Sequence, residues 1–499
     1  MSVHRPRFEP SQCNPQDLTY PALSDDEHTW LPLVSCPSSF PPELFKIAVS
    51  QLIHHPEYNS TLILRSDTLA ELTFDFPTSL PRPKGRHLMR VTQRRLLARR
   101  PGRDASLEQY CSLYGPEDTH DSARPDTLIL TPIIPEGGSL PYYHPAVLHL
   151  AFRYIPSEPA TLRIEVVPLP GTPTDPNSRL YRTCLALLDT LDRYGWGALT
   201  NYKKRVVHDC LVPREPYQDL YLIMRERHKH LVDTWQEVTD PLKHVFEDIG
   251  IATYLMLLWK DTYFEDSEAT VVSNPDEPWR SWPRPPGGFL DFGCGNGLLT
   301  HILLQEGYEG RGIDLRARNS WSHYPRSTQD HLVVHAFDPT AIAPDPYFQP
   351  GIFVIGNHAD ELTPWVPVLS TLHSASGYLS IPCCAWSFDA KYERSSTPMF
   401  PLPSSDFADT LNLGGQGDNS SSYSMYRIWL ASLSLHCGWE VECETLRIPS
   451  TRNWAIVGRR RLKSLDEEVA QENVRRIMQN VAERGIFKGR KPEGKARAH

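Results

Sequence analysis

Asp291, Gly293, Gly295 and Gly297 fall at every second position directly behind a short apolar run. The stretch Gly288-Phe-Leu-Asp-Phe-Gly-Cys-Gly-Asn-Gly-Leu298 reads as a strand, a glycine-rich turn and the start of a helix. Glycines of this kind let the backbone come close to a ligand, and the turn aims helix N–H groups at it. Gly310-Arg-Gly-Ile-Asp314 reads as a second strand ending in an acid. A carboxylate there can accept hydrogen bonds from both hydroxyls of a ribose. Binding of a nucleotide-type ligand is the chemistry these residues allow. A dinucleotide fingerprint would place its third glycine at position 298, which is Leu298; the glycine stands one residue earlier.

The spacing D-x-G-x-G-x-G resembles the first motif of S-adenosylmethionine-dependent class I methyltransferases. Leu298, Leu299, Ile302 and Leu303 supply an apolar helical face behind it. That resemblance implies S-adenosyl-L-methionine as cofactor. An NAD site and a relic fold without ligand are the alternatives.

These residues must be held by a larger scaffold. With 499 residues the chain exceeds one compact core, so two domains are expected. A hydrophobic share of 40% and a charged share of 22% suit a soluble globular protein. The 46 prolines predict long irregular connections. There is no long apolar run and no secretory leader, so neither a membrane span nor export is expected. The ten cysteines form no C-x-x-C pair, which argues against a disulfide framework and fits a reducing, cytoplasmic setting. No metal is expected; Cys383 and Cys384, with Cys437, Cys443 and His436, are the thiols and imidazole that leave the question open.

The net charge of −9 speaks against nucleic acid, but its distribution does not. Arg82 to Arg103 holds nine Lys or Arg residues and no acid. A second basic stretch runs through Arg459, Arg460, Arg461 and Lys463 to Lys488, Arg490, Lys491, Lys495 and Arg497. Such runs either bind phosphates or are solvated, partly disordered segments.

Four regions are predicted. Residues 1–175 form a strand-rich α+β region of unknown role, with strands at 61–65, 127–131, 147–154 and 161–167 and a hairpin turn at Ser157-Glu-Pro159. Residues 176–273 are helical. Leu180, Cys184, Leu187, Leu188 and Leu191 share one stripe, and a later helix is capped by Thr239 or Asp240 with Pro241 in its first turn. Residues 274–460 alternate strand and helix, which gives an α/β, doubly wound and mainly parallel sheet. Its third strand is read at 331–337, its fourth at 351–356 and its fifth at 377–381, with a terminal hairpin at 439–446 and 453–458. Residues 461–499 are read as a basic tail.

Ligands in such sheets sit beyond the C-terminal strand ends. Asn357, His358, Asp360 and Glu361 follow the fourth strand; Asp389 and Lys391 follow the fifth. A hydroxyl oxygen is a poor nucleophile, so a methyl transfer to one would gain from a base. His358, Asp360, Glu361, Asp389 and Lys391 are the candidates. No Asn/Asp-Pro-Pro-Tyr motif follows the fourth strand, which leans away from a nitrogen acceptor. Tyr202-Lys-Lys-Arg205, Arg316, Arg318 and Arg452 are the basic candidates for RNA contact.

Several stretches together resemble one family. They are Trp235 to Ile249, Leu290 to Leu299, Gly310 to Arg318, Pro382-Cys-Cys384 and Leu446 to Asn453. They are similar to the eukaryotic tRNA (uracil-2′-O-)-methyltransferases. The resemblance covers roughly residues 180 to 460. It implies 2′-O-methylation of uridine forty-four in serine tRNA. It also implies that Asp291, Gly293, Cys294, Gly295, Asn296 and Gly297 form the loop against the methionine part of the cofactor. Asp314 would hold the ribose, Asp338 would face the adenine, and Asn357 and His358 would lie nearest the methyl. A methyltransferase acting on protein or a small molecule, and a noncatalytic RNA-binding scaffold, are the competing readings.

Overall fold

The computed structural model describes residues 4–14, 16, 19–117, 124–135, 137–202, 206–264, 274–338, 345–394, 400–414 and 421–485. The chain divides into two compact units, Met1–Lys203 and Lys204–His499. Among the described residues no helix is long and apolar enough to cross a membrane.

The first unit contains β1 (Ser11–Gln12), β2 (Leu31–Pro37), α1 (Phe45–His54), β3 (Ile63–Leu72), β4 (Arg86–Ala98), β5 (Leu107–Pro116), β6 (Thr127–Ile133), β7 (Val147–Ile155), β8 (Thr161–Pro168) and α2 (Arg179–Leu199). The eight strands form one antiparallel sheet in the order β1-β2-β8-β7-β6-β5-β4-β3. Phe45, Val49 and Leu52 of α1 and Leu180, Cys184, Leu188 and Leu191 of α2 bury their stripes against it. The expected division near residue 175 therefore differs from the observed one. The apolar face of α2 finds its partners in this sheet, and Asp192 on it accepts hydrogen bonds from Arg5 and Ser39.

The arginine run is not a loose segment: residues 86–98 are strand β4. Arg94 is buried, donates to Gln109 Oε1 and, at 2.9 Å, to the Leu52 carbonyl at the end of α1. It thereby caps that helix C-terminus with a positive charge. Arg90 pairs with Glu71 and Arg95 with Glu108.

The second unit begins with α3 (Arg214–His228) and α4 (Pro241–Thr262). The Asp240 side chain caps α4 by accepting from Leu242 N–H. Then follow β9 (Phe289–Phe292), α5 (Leu298–Gln305), β10 (Gly310–Asp314), α6 (Arg326–Gln329), β11 (Leu332–Val334), β12 (Phe353–Asn357), α7 (Trp365–Leu372) and β13 (Gly377–Ile381). A two-residue pair, β14 (Trp386–Ser387) and β15 (Ala390–Lys391), precedes α8 (Phe407–Thr410), α9 (Ser422–His436), β16 (Glu442–Thr445), β17 (Trp454–Gly458) and α10 (Glu467–Arg484).

Seven strands form the sheet β11-β10-β9-β12-β13-β17-β16. β9 to β13 are parallel; β17 runs antiparallel to β13 and to β16. Alternation along the strands separates the two faces. Phe289, Phe353, Ile355 and Leu379 meet α3, α4 and α5, whereas Leu290, Phe292, Val354 and Tyr378 meet α7, α9 and α10. The region from 461, read as a tail, contains α10. Its Ala470, Val474, Ile477 and Val481 recur at helical spacing and are buried, which anchors it. Arg459 is paired with Glu442 and Asp261, and Arg461 with Glu467. Lys488 to Arg497, like Lys203 to Arg205, lie outside the described residues.

Candidate functional site

The strand β9 ends in a turn whose three glycines all have positive φ: 82° at Gly293, 54° at Gly295 and 77° at Gly297. A Cβ on Gly295 would meet open space, so its backbone faces room for a ligand. A Cβ on Gly297 would strike Leu332 and Trp321, so this turn tolerates only glycine on steric grounds as well. The loop is tied in place from both sides. Gly295 N–H donates to Asp314 Oδ2 at 2.9 Å, Arg316 N–H donates to Asp314 Oδ1 at 3.2 Å, and Trp321 Nε1–H donates to the Gly295 carbonyl at 2.9 Å.

A cavity of ≈ 660 Å³ opens here, at the C-terminal ends of the parallel strands. Gly293, Gly295, Asp314 and Arg316 line one part of it; His358, Asp360 and Glu361 line another. His358 and Asp360 both hold positive φ, 51° and 47°. Two non-glycine residues in that region within one turn are strained, a feature that concentrates at functional sites.

The turn is fixed by α4. His358 Nε2 lies 3.0 Å from Glu247 Oε1, and Asn357 Nδ2 donates to Asp248 Oδ1 at 3.2 Å. Burial works to raise the Glu247 carboxyl, but the His358 hydrogen bond and charge hold it below the usual range. Asp248 is pushed well up, by burial first and then by its neighbours Glu247 and Asp291. His358 Nδ1 and Asn357 Oδ1 are buried without a hydrogen-bond partner.

A larger cavity, ≈ 820 Å³, lies along α5, lined by Arg227, His228, His301, Glu306 and Tyr324 among others. It contains neither the glycine turn nor a strand end of the sheet. Its buried acid, Glu306, is fully used by Arg227, His228 and the Trp279 indole, and we assign the chemistry to the smaller cavity.

Residues 9–205 match the family model "TRM44-like, N-terminal bet v1-like domain". Residues 211–274 and 280–339 match "Predicted AdoMet-dependent methyltransferase". A protein of Schizosaccharomyces pombe named tRNA (uracil-O(2)-)-methyltransferase is 33% identical, over 92% of this chain and 91% of its own length. The chain belongs to the tRNA (uracil-O(2)-)-methyltransferase family. Proteins of the same name from Neurospora crassa and Saccharomyces cerevisiae are 32% and 29% identical, over 91% and 83% of this chain. The cofactor of the family's methyltransferase domain is S-adenosylmethionine, and the residues present fit it. The open face of Gly295 and the oriented Asp314 carboxylate are polar walls of a cavity of suitable size.

Within this family member the residues singled out from sequence fall into two groups. Gly293, Gly295, Asp314, Arg316, Arg318, His358, Asp360, Glu361 and Asp389 line the cavity. The others act behind it. Asp291 is buried beneath the turn, accepts from the Thr300 hydroxyl at 2.8 Å, and burial pushes its carboxyl up to about 7. Cys294 packs against Trp321 and Leu332. Asn296 accepts from Leu298 N–H and starts α5. Asp338 is exposed and lies beyond the end of β11 at Val334; His335, Ala336 and Phe337, between them, line the cavity wall. Lys391 sits 3.8 Å over the Trp386 ring, and Asp389 is 3.1 Å from the Arg484 guanidinium.

Three contributors escaped the sequence reading. Glu247 and Asp248 reach the site from α4, and Glu237 accepts from Ser320 N–H and hydroxyl, which pins the loop beyond β10. The signal available for the first two is a pair of adjacent acids inside an otherwise apolar helix, since carboxylates are seldom buried without a task.

Proposed function

We propose that the chain transfers a methyl group from S-adenosylmethionine to the 2′ oxygen of a uridine ribose in tRNA, on a class I, Rossmann-like domain. The observation that carries this reading is the meeting, in one cavity, of the Gly295–Asp314 turn and the His358–Glu247 pair. The sheet order, with β17 reversed beside β13, supports the class I assignment. When bound, the cofactor supplies a methyl on a sulfonium, an electrophile that needs no further activation. The protein's tasks are to align an acceptor oxygen, exclude water and remove its proton.

Asp314, held by two backbone N–H groups, would hold the cofactor ribose through its carboxylate, and the glycine turn would hold the methionine part. Glu247 lies within hydrogen-bond reach of His358 Nε2. We assign His358, on the cavity wall, as the base that takes the 2′-hydroxyl proton and Glu247 as the group that orients its ring and stabilises the resulting imidazolium. Arg316 and Arg318, on the cavity wall, and Arg452, stacked 4.1 Å over the Tyr423 ring, are placed for phosphate or base contact. Uridine forty-four of a serine-type tRNA is the substrate in finer terms, on the strength of the family resemblance. The cytoplasm is its place of action.

Incubation of the full chain with labelled cofactor and unmodified tRNA, followed by digestion to nucleosides, should place the label in 2′-O-methyluridine. His358→Asn, which tolerates the same backbone, should lower kcat by about 10²–10⁴ and leave cofactor affinity in place. Asp314→Ala should weaken cofactor binding by about 1.5–3 kcal/mol. Label in a methylated base, or only in protein, overturns the acceptor; full activity of His358→Asn overturns the base.

A further inference from the structure

β12 and β13 are parallel neighbours paired from Phe353↔Gly377 to Asn357↔Ile381. Each strand ends in a turn rich in metal-ligating groups: His358-Ala359-Asp360 after one, Pro382-Cys383-Cys384 after the other. The shared register delivers the two turns side by side. Cys383 Sγ lies 3.1 Å from Asp360 Oδ1, and one donor atom each of Asp360, Cys383 and Cys384 lie within 4.8 Å of one another.

The backbone at this point is arranged to keep the carboxylate there. Asp360 holds φ 47° in a turn braced by His358 N–H on the Ile381 carbonyl, by Glu247 on His358 and by Asp248 on Asn357. On the other side, the Tyr423 hydroxyl donates to the Pro382 carbonyl at 2.9 Å and fixes the start of the cysteine pair. Two rigid strand ends thus present two sulfurs and one carboxylate oxygen to a common point.

We propose that Asp360, Cys383 and Cys384 form a binding site for a thiophilic divalent cation of the zinc class, clamping the ends of β12 and β13 at the rim of the cofactor cavity. The donor set selects the metal. Thiolates disfavour magnesium and calcium, which take oxygen ligands, and suit zinc. Tetrahedral zinc, with bonds of about 2.0–2.3 Å, sets its ligand atoms roughly 3.3–3.8 Å apart, which the cluster reaches by small side-chain rotations. Three protein ligands leave a fourth position, and Asp360 is itself part of the cavity wall. On binding, the two thiols lose their protons to solvent and the cation takes their charge. Cys437 and Cys443 do not join them: Cys437 is buried at the end of α9, and Cys443 lies on β16. The inference does not rest on the reaction proposed above.

The test uses the full chain, exchanged with cobalt(II) under reducing conditions and read by absorption, with zinc content by elemental mass spectrometry. We expect about one zinc per chain, and in the cobalt form the thiolate charge-transfer and visible bands of tetrahedral coordination. Cys384→Ser and Asp360→Asn should each weaken zinc binding, by chelator competition, more than the roughly 10–100-fold typical of outer-shell changes. Cys443→Ser should leave it unaltered. Wild-type protein that retains no metal and shows no cobalt–thiolate band overturns the site. So does a band that survives in both Cys384→Ser and Asp360→Asn. A Cys383–Cys384 disulfide, seen as a loss of two hydrogens in the peptide mass under the same reducing conditions, also overturns it.

Discussion

In the first unit Glu165 is fully buried, yet it meets Arg153 at 2.5 Å, Arg163 at 2.7 Å and the Leu23 N–H at 2.7 Å. In the second unit Asp291 and Asp248 are as deeply buried, but they are met by a hydroxyl and an amide. Charge is matched in one region and left costly in the other. The first arrangement pins a loop, Tyr20 to Leu23, across a sheet and asks nothing more of its residues. The second raises carboxyl pKa values beside a cavity, which is how acid–base sites are built and how they are recognised.

This contrast can be broken by experiment. The largest effect should come from Glu165→Ala. It strands two buried guanidinium groups, and the first unit should lose about 3–5 kcal/mol in denaturant unfolding. A loss under about 1 kcal/mol would mean that the matched charges are not structural. Next, the arginine run should split. Arg94→Ala removes a buried helix cap and should cost about 2–3 kcal/mol. Arg99→Ala with Arg100→Ala, both exposed, should stay within about 0.5 kcal/mol. Of these two variants only the second removes exposed charge open to phosphate contact, so of the two it alone should flatten the salt dependence of tRNA binding. Equal stability losses in the two variants would erase the distinction.

The smallest effect runs the other way. The Asp291 carboxyl is pushed to about 7 in the fold from an ordinary value of 3.8. The fold favours the protonated form, so this stability is complete below the unfolded pKa and is lost as pH rises toward the folded one. Asp291→Asn keeps a partner for Thr300 without the charge. It should gain roughly 1–2 kcal/mol at about pH 8 and show a flatter stability profile between about pH 4 and 7. A profile that keeps the wild-type slope would place the titration on another group.

The glycine turn was legible in the sequence because its demands are local: three positive φ values within five residues can be met only by a particular residue type. The parallel strands were legible as apolar runs for the same reason. The site's second half was not. Glu247 and Asp248 stand more than a hundred residues before Asn357 and His358, and only the packing of α4 onto the sheet unites them. β4 was hidden by its own charge. Thr92, Leu96 and Ala98 are buried on one face, and so is Arg94, whose burial depends on the α1 carbonyls and on Gln109 of the neighbouring strand. The third strand was read too long: β11 is three residues, and its extent is set by pairing with β10, not by the apolar run that continues to Phe337.

The glycine turn carries one more consequence. Asp314 and Trp321 already hold its backbone, so its conformational entropy is surrendered when the chain folds and not when a ligand arrives. A molecule captured there recognises the folded population alone. Its concentration then acts as a thermodynamic buffer for this unit, adding RT ln(1 + [L]/Kd) to the free energy of unfolding. A cell that starves of methyl donor would lose activity and, with it, some of the protein's resistance to unfolding and turnover.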